Sequence, residues 1–568
     1  MSVRKRILTF FVMALCAAAT LKILFVGYDI DEQYAVSMAY RLLGGDRLLT
    51  DLWEPHQTSG WLCMLLMAPY VAIFHTTTGI ILYLRLWGLL LHSAVFFYLY
   101  RTLKSYLDQE HTLLVCGIYF FALPKIMFLP EFSNIQVWCL LMTVLCLLQY
   151  YGPSDSQPGR YALHHLVFAG CFLALEVLSY PSTLLTFGAC VVCMVCYRRR
   201  SPHSLARELS CLAAPCLLGA MVFLVILFSY IPLGELGNLI SIVASDGSHS
   251  APWGERLQGH GQSLKQILLF FLGYSLVAFL LQLLYRLKTQ RPFSSLLWCE
   301  LLMGCTLVGQ VCIWVFGNRY PNYPMVEYIF LPALLLFAAL QRKVELSPTL
   351  AFFVLVPVTA FMGILLFSNH PLLVSLPFLA PCTVGILSLP QLQKTLTSKS
   401  TGRLRLMSRS ILVLWVCVLA FGRCYMQRTT GGRHETILND MSLLRQGPAM
   451  GLVADTSSVI RYRDNYELIT RLLPEGAKVF YMGSDTDIYL MKELTYATPS
   501  TICSPTFDDK VYTWFQLHQD RVPEYVICDA GLFYSNPWVA DYIAQACEDT
   551  PIAATNYLFL YQVNGNAF

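Results

Sequence analysis

The chain has 568 residues, of which 56% are hydrophobic and only 13% charged, with a formal net charge of +4. A soluble globular domain carries about 25% charged residues, so the composition excludes a fold solvated mainly by water and makes lipid the main solvent. No nucleic-acid partner is implied. Most of the twenty cysteines lie in apolar stretches, where a thiol behaves as a small hydrophobe. The run Cys190, Cys193, Cys196 has a metal-like spacing but no histidine or carboxylate beside it.

The first segment, 7–27, is an apolar run too long for the usual signal core of about 7–15 residues and reads as a retained span. Residues 28–60, YDIDEQYAVSMAYRLLGGDRLLTDLWEPHQTSG, follow it and hold Asp29, Asp31, Glu32, Asp46, Asp51 and Glu54. Asp31 and Glu32 sit about where the chain leaves the membrane. A carboxylate at an apolar boundary tends to a raised pKa, which suits a general base. Trp53, His56, Gln57 and Trp61 add sugar-binding residue types. The plain alternative is a solvated acidic loop. The apolar stretch 61–74 is short for a span.

Counting about 20 apolar residues per crossing, candidate spans continue near 79–100, 112–129, 134–151, 164–180, 182–197, 209–231, 264–285, 294–316, 324–340, 349–367, 372–390 and 410–426, about thirteen with the first. Intramembrane charges are functional candidates by default. Lys22, Arg85, Lys125 and Arg319 lie near outer span ends; Lys22 reads as a long stem snorkelling to the headgroups, and for the others snorkelling is the alternative. Lys125 sits in LPKIMFLPEFSN, with Glu131 placed either to hold sugar or acceptor hydroxyls or to cap the next span. Glu176, inside a span, reads as a structural anchor.

Lys and Arg stay on the cytoplasmic side of short loops. With 61–74 lying at the interface and the N-terminus inside, cytoplasmic segments carry twenty Lys and Arg, including Arg198, Arg199, Arg200 and Arg207. The outer loops carry four: Arg41, Arg47, Arg256 and Arg319. This places 28–78, 232–263 and everything after about 428 outside. The tail 428–568 is a different kind of sequence. AKVFYMG (477–483), EYVICDA (524–530) and YLFLYQV (557–563) read as buried strands, and 458–473 and 537–547 as helices. The expectation is a mainly α polytopic membrane domain, 1–427, and a small extracytoplasmic α/β domain, 428–568. No nucleotide motif appears, and Cys503, Cys528 and Cys547 are expected to be free thiols.

The pattern D-E-x-Y, then a small-residue helix ending in G-G-D, then D-x-W-E-P-H, resembles the first outer loop of GT-C superfamily glycosyltransferases, among them protein O-mannosyltransferases and the lipid A aminoarabinose transferase. The stretch GNRYPNYP, with Arg319 and Tyr320, is similar to an R-Y-x-P segment of the same group. The resemblance implies a polyprenyl-phosphate sugar as donor, an extracytoplasmic glycan, lipid or protein as acceptor, and a plasma (inner) membrane location. It also implies that Asp31 takes the proton from the acceptor hydroxyl, with Glu32 beside it and Asp29 in reserve. Lys125, Arg319 and Arg85 are then candidates for the donor phosphate. Asp29, Glu54, His56, Gln57, Glu131 and Tyr320 are candidates for the substrates. His56-Gln57 departs from an H-x-P-P-like segment found in many such loops, which bears on the acceptor. No cofactor is required, and divalent-cation assistance is left open. A flippase or transporter of lipid-linked glycans and a non-catalytic envelope-assembly protein are the competing readings.

Overall fold

A computed structural model describes residues 3–54, 56–125, 127–151, 163–196, 202–244, 252–290, 292–316, 348–367, 372–388, 402–428, 434–438, 440–502 and 508–564. Its first part is helical: α1 (Val3–Phe25), α2 (Ile30–Leu43), α3 (Gly60–Phe74), α4 (Ile80–Leu103), α5 (Gln109–Phe121), α6 (Phe132–Tyr151), α7 (Leu163–Ser179), α8 (Leu185–Cys196), α9 (Pro202–Phe228), α10 (Leu233–Ala244), α11 (Trp253–Thr289) and α12 (Ser295–Phe316), then helices Pro348–Phe367, Ala380–Leu387 and Gly402–Tyr425. Among the described residues seven helical segments are long and apolar enough to cross a membrane, and shorter apolar helices accompany them. A helix that is apolar all round must be buried in protein or in lipid. In α6, 89% of the apolar window is inside the protein, whereas α9 and α11 bury 11% and 17%. So α6 is the axis of the bundle, and α9 and α11 present their apolar faces to lipid. The expected span 324–340 lies outside the described residues.

Two features differ from the expected layout. The outer loop 232–263 is largely helical, because α10 occupies part of it and α11 begins at Trp253. A search for apolar runs detects only the membrane-depth part of such a helix. The segment 61–74, with the turn before it, is one of the seven apolar segments, yet both of its flanks meet the C-terminal region. The Trp53 N–H donates to Pro499 O at 2.8 Å, and the Gly79 N–H to Gly447 O at 2.9 Å.

The C-terminal region opens with two antiparallel pairs, β1 (Met426–Arg428) with β2 (His434–Thr436) and β3 (Met441–Leu443) with β4 (Val453–Asp455). Helix Thr456–Leu472 follows, capped where the Asp455 carboxylate accepts from the Ser458 N–H. Then come β5 (Lys478–Met482), β6 (Thr495–Tyr496), β7 (Tyr525–Asp529), β8 (Ala553–Ala554) and β9 (Leu558–Gln562). They form one sheet in the order β6-β5-β7-β9-β8. β5 runs parallel to β6 and β7, and β9 antiparallel to β7, with Phe480 opposite Val526 and Val526 opposite Tyr561. The three apolar runs named from sequence are β5, β7 and β9, and Cys528 and Cys547 are both buried. Cys503 lies outside the described residues.

Candidate functional site

The acidic segment 28–60 joins the bundle to the α/β region. Asp29 caps α2, accepting from the Asp31 N–H at 2.9 Å, and so places the first turn of α2, with Asp31 and Glu32, at the end of the bundle that meets the α/β region. Opposite it lies the irregular stretch Ala122–Glu131 between α5 and α6. That stretch crosses α4 at Gly88, where an added Cβ would stand 2.3 Å from Phe128 O; only glycine lets the backbone lie so close. The two segments meet at one ion pair, Lys125 Nζ to Asp31 Oδ2 at 2.6 Å. The Lys125 side chain is 10% exposed and that of Asp31 27%. A small cavity here is lined by Asp29, Asp31, Glu32, Lys125 and Glu131, with Met127 and Leu129.

The other candidates near this cavity are held from behind. Glu32 forms a bidentate pair with Arg85, both contacts 2.6 Å. Arg85 is fully buried and also donates to Leu24 O and Gly27 O, so its guanidinium ties α1, α2 and α4 together behind the cavity wall. Burial pushes the Glu32 carboxyl above its ordinary pKa against the opposing pull of Arg85. Glu131 accepts from the backbone N–H groups of Ser133 and Asn134, at 2.9 and 2.6 Å. It therefore caps α6 while still lining the cavity, and burial pushes its carboxyl up to about 7. Lys22 is buried rather than snorkelling, and donates to Met426 O.

Further along the segment the candidates turn toward the α/β region. Glu54 is buried and accepts from Tyr34 OH, Ser500 Oγ, and the Thr501 N–H and Oγ1; burial raises its carboxyl despite these donors. Gln57 folds the segment on itself, accepting from the Leu49 N–H and donating to Glu54 O. His56 stacks on Phe132, centroids 4.1 Å apart, and the Lys125 ammonium lies over the same Phe132 ring, 5.4 Å from its centroid. Trp53, whose residue type suggested sugar stacking, is fully buried in a cluster with Phe480 and Trp514. Asp46 pairs with Arg41 and Arg521, and Asp51 with His518.

Arg319 and Tyr320 lie outside the described residues. Glu176 is buried and accepts from Thr186. Among the described residues no group of three or more His, Cys, Asp and Glu has a metal-binding arrangement, the CxxCxxC run included. One residue at this site was absent from the sequence reading. Arg423, in the last turn of helix Gly402–Tyr425, is buried and donates to Phe121 O, Leu123 O and Lys125 O at 3.1, 2.7 and 3.2 Å. A cation at a helix C-terminus is common, yet Arg423 is also a charge within the expected span 410–426, and that scarcity of charge is the signal that could have found it.

No family model matches the chain, and no curated protein matches it in sequence. Solved structures do match in fold. ArnT from Cupriavidus metallidurans in the apo state aligns with a TM-score of 0.53 at 9% identity, covering 99% of this chain and 98% of that one. The structure of the same protein bound to undecaprenyl phosphate gives 0.54 at 9%, over 100% and 99%. The oligosaccharyltransferase of Archaeoglobus fulgidus in the apo form gives 0.44 at 12%, over 98% and 75%. The chain shares the fold of ArnT, and its own described residues form a helical bundle followed by a small α/β region.

Proposed function

We propose that this chain is an inverting glycosyltransferase that moves a sugar from a polyprenyl-phosphate donor to a hydroxyl of an extracytoplasmic glycan, lipid or protein. The observation that carries the reading is the partly exposed Asp31–Lys125 pair, 2.6 Å apart, at a cavity where the first outer segment meets the bundle. The donor phosphate competes with Asp31 for the Lys125 ammonium, and its arrival leaves the carboxylate able to act as base. The acceptor oxygen then attacks the anomeric carbon, its proton passes to Asp31, and the bond from that carbon to the phosphate oxygen breaks. The phosphate leaves as an anion and needs no proton, so one base suffices, and a single displacement inverts the centre. Charge-assisted hydrogen bonds suit such a leaving group. Arg319, in a stretch similar to an R-Y-x-P segment, is the proposed further donor-phosphate contact, and Tyr320 a proposed substrate contact.

The same reading puts the N-terminus in the cytoplasm and the α/β region outside. The lysine and arginine distribution supports it, as does the contact of both flanks of 61–74 with the α/β region. Labelling of cysteines introduced at 198–207 from outside intact cells would overturn this topology. ArnT with undecaprenyl phosphate bound makes that lipid the first carrier to try. Purified protein in nanodiscs, given undecaprenyl-phosphate sugars and envelope acceptors, is expected to yield a glycosylated acceptor and free undecaprenyl phosphate by mass spectrometry. Movement of the lipid-linked sugar between leaflets without transfer would favour a flippase instead.

A further inference from the structure

The described residues of 122–131 have no regular secondary structure, yet their carbonyls are bonded in a pattern. From 121 to 129 every second carbonyl is taken by a side chain. Arg423 binds those of Phe121, Leu123 and Lys125, and the Asn134 amide binds those of Met127 and Leu129, both at 2.9 Å. A buried carbonyl without a partner costs about 1–3 kcal/mol, and the last carbonyl of α5, that of Phe121, has no later helical N–H to accept from and is taken by Arg423. The planar fork of a guanidinium can serve three acceptors at once; an ammonium at the same place cannot span them. Arg423 and Asn134 thus replace secondary structure as the template for this stretch.

We infer that Arg423 is a positioning residue for Lys125: it holds the backbone that carries the donor-phosphate cation opposite Asp31, and it does so from the helix that leads directly into the α/β region. The inference rests on the proposed glycosyltransferase reading for what Lys125 does, and on the hydrogen bonds alone for how Lys125 is held. The carbonyl bonded by Arg423 belongs to Lys125 itself, and the stretch is pinned from the other side by its close approach to Gly88. A shift of the Lys125 backbone therefore translates into a shift of its ammonium against Asp31. Arg423 also lies three residues before Met426, whose carbonyl accepts from Lys22, so the junction with the α/β region is tied to α1 at the same level.

The test compares Arg423→Lys, which keeps the charge and loses the fork, with Lys125→Ala and the double variant, all in nanodiscs. Two measurements are made: native mass spectrometry of undecaprenyl phosphate binding, and amide exchange across the chain. Arg423→Lys is expected to weaken binding about tenfold, and exchange is expected to rise in peptides covering 119–127 while peptides of the α/β region stay as in the parent. The double variant is expected to bind no more weakly than Lys125→Ala alone, because Arg423 acts through Lys125. Additive losses in the double variant, or unchanged exchange at 119–127, would overturn the inference. So would exchange rising equally throughout helix Gly402–Tyr425 and the α/β region, which is the signature of general destabilisation. If the parent protein itself binds no polyprenyl phosphate, the functional reading fails, and the exchange result still decides whether Arg423 shapes the stretch.

Discussion

Asp31 and Glu54 stand at the two ends of one acidic segment and have been put to opposite uses. Glu54 is 1% exposed and saturated with donors, three of them from Ser500 and Thr501, far away in sequence. Asp31 is 27% exposed at a cavity and faces a lysine that a ligand can recruit. The two carboxylates look alike in the sequence. What separates them is desolvation and the nature of the partner. A buried carboxylate surrounded by fixed donors is a fastener, whereas one held by a flexible ammonium at an opening remains available for a proton. The segment as a whole is a bracket, with its C-terminal half locked to the α/β region so that its N-terminal turn can be held still.

The largest expected effect tests the Asp31 end. Asp31→Asn keeps the shape and removes the proposed base, and turnover is expected to fall about 10²–10⁴-fold, with donor binding kept or strengthened because the phosphate no longer competes with a carboxylate for Lys125. Near-normal turnover in Asp31→Asn, with Asp29→Asn or Glu32→Gln inactive, would move the base to that residue. The opposite pattern is expected at the other end. Glu54→Ala leaves donors from Tyr34, Ser500 and Thr501 unmatched in a dry interface. Charged hydrogen bonds contribute about 1.5–3 kcal/mol each, so a loss of about 3 kcal/mol or more is expected, read as a lower thermal midpoint and faster proteolysis near residue 500. A Glu54→Ala protein that melts normally and fails only in transfer would erase the contrast and return Glu54 to the substrate side.

The outline of the fold could be read from the sequence because its signals are local. Apolar runs mark spans by length alone, and β5, β7 and β9 are short apolar runs bounded by turns. Helix α10 and the start of α11 were missed because their polar residues and glycines interrupt the apolar run that marks a span. Asp31, Lys125 and Glu131 were identifiable because charge is scarce near a membrane. The roles of Trp53, Glu54 and Arg423 were not, since each depends on a partner brought close only by folding: Pro499 to Trp53, Thr501 to Glu54, and the carbonyls of 121–125 to Arg423. A single sequence shows that Arg423 is a charge in an apolar span and Glu54 a carboxylate in an acidic segment, but not which partners folding brings to them.

Glu131 sharpens the comparison, since it both fastens a helix and lines the cavity. Its carboxyl is pushed by burial from 4.5 to about 7. A group whose folded pKa is raised binds its proton more tightly when folded. Stability should therefore decline as pH rises from about 4.5 toward 7 and level off above that. Thermal midpoints measured in detergent across that range should fall in the parent and stay flatter in Glu131→Gln. A parent midpoint that rises over the same window would mean that the two α6 N–H groups outweigh burial and that Glu131 is a plain cap.

Asp51 gives the smallest expected effect and closes the series between the two extremes. Burial would raise its carboxyl, but the bond from His518, the Arg47 N–H and the charge of Arg521 hold it below the ordinary value. A depressed pKa supplies stability that is present above about 4 and lost as pH falls through the folded value. Its side chain is 14% exposed and that of His518 16%, so the pair is neither the dry lock of Glu54 nor the open site of Asp31. Pairs near the surface contribute roughly 0.2–1 kcal/mol. Asp51→Asn should thus lower the thermal midpoint slightly at neutral pH, and added salt should narrow the gap, because screening acts on pairs that solvent reaches. Transfer rates should hardly change. A loss of turnover in Asp51→Asn out of proportion to its loss of stability would show that the middle of the bracket transmits its fit to the first turn of α2. The fastening and the chemistry could then no longer be treated as separable halves of one segment.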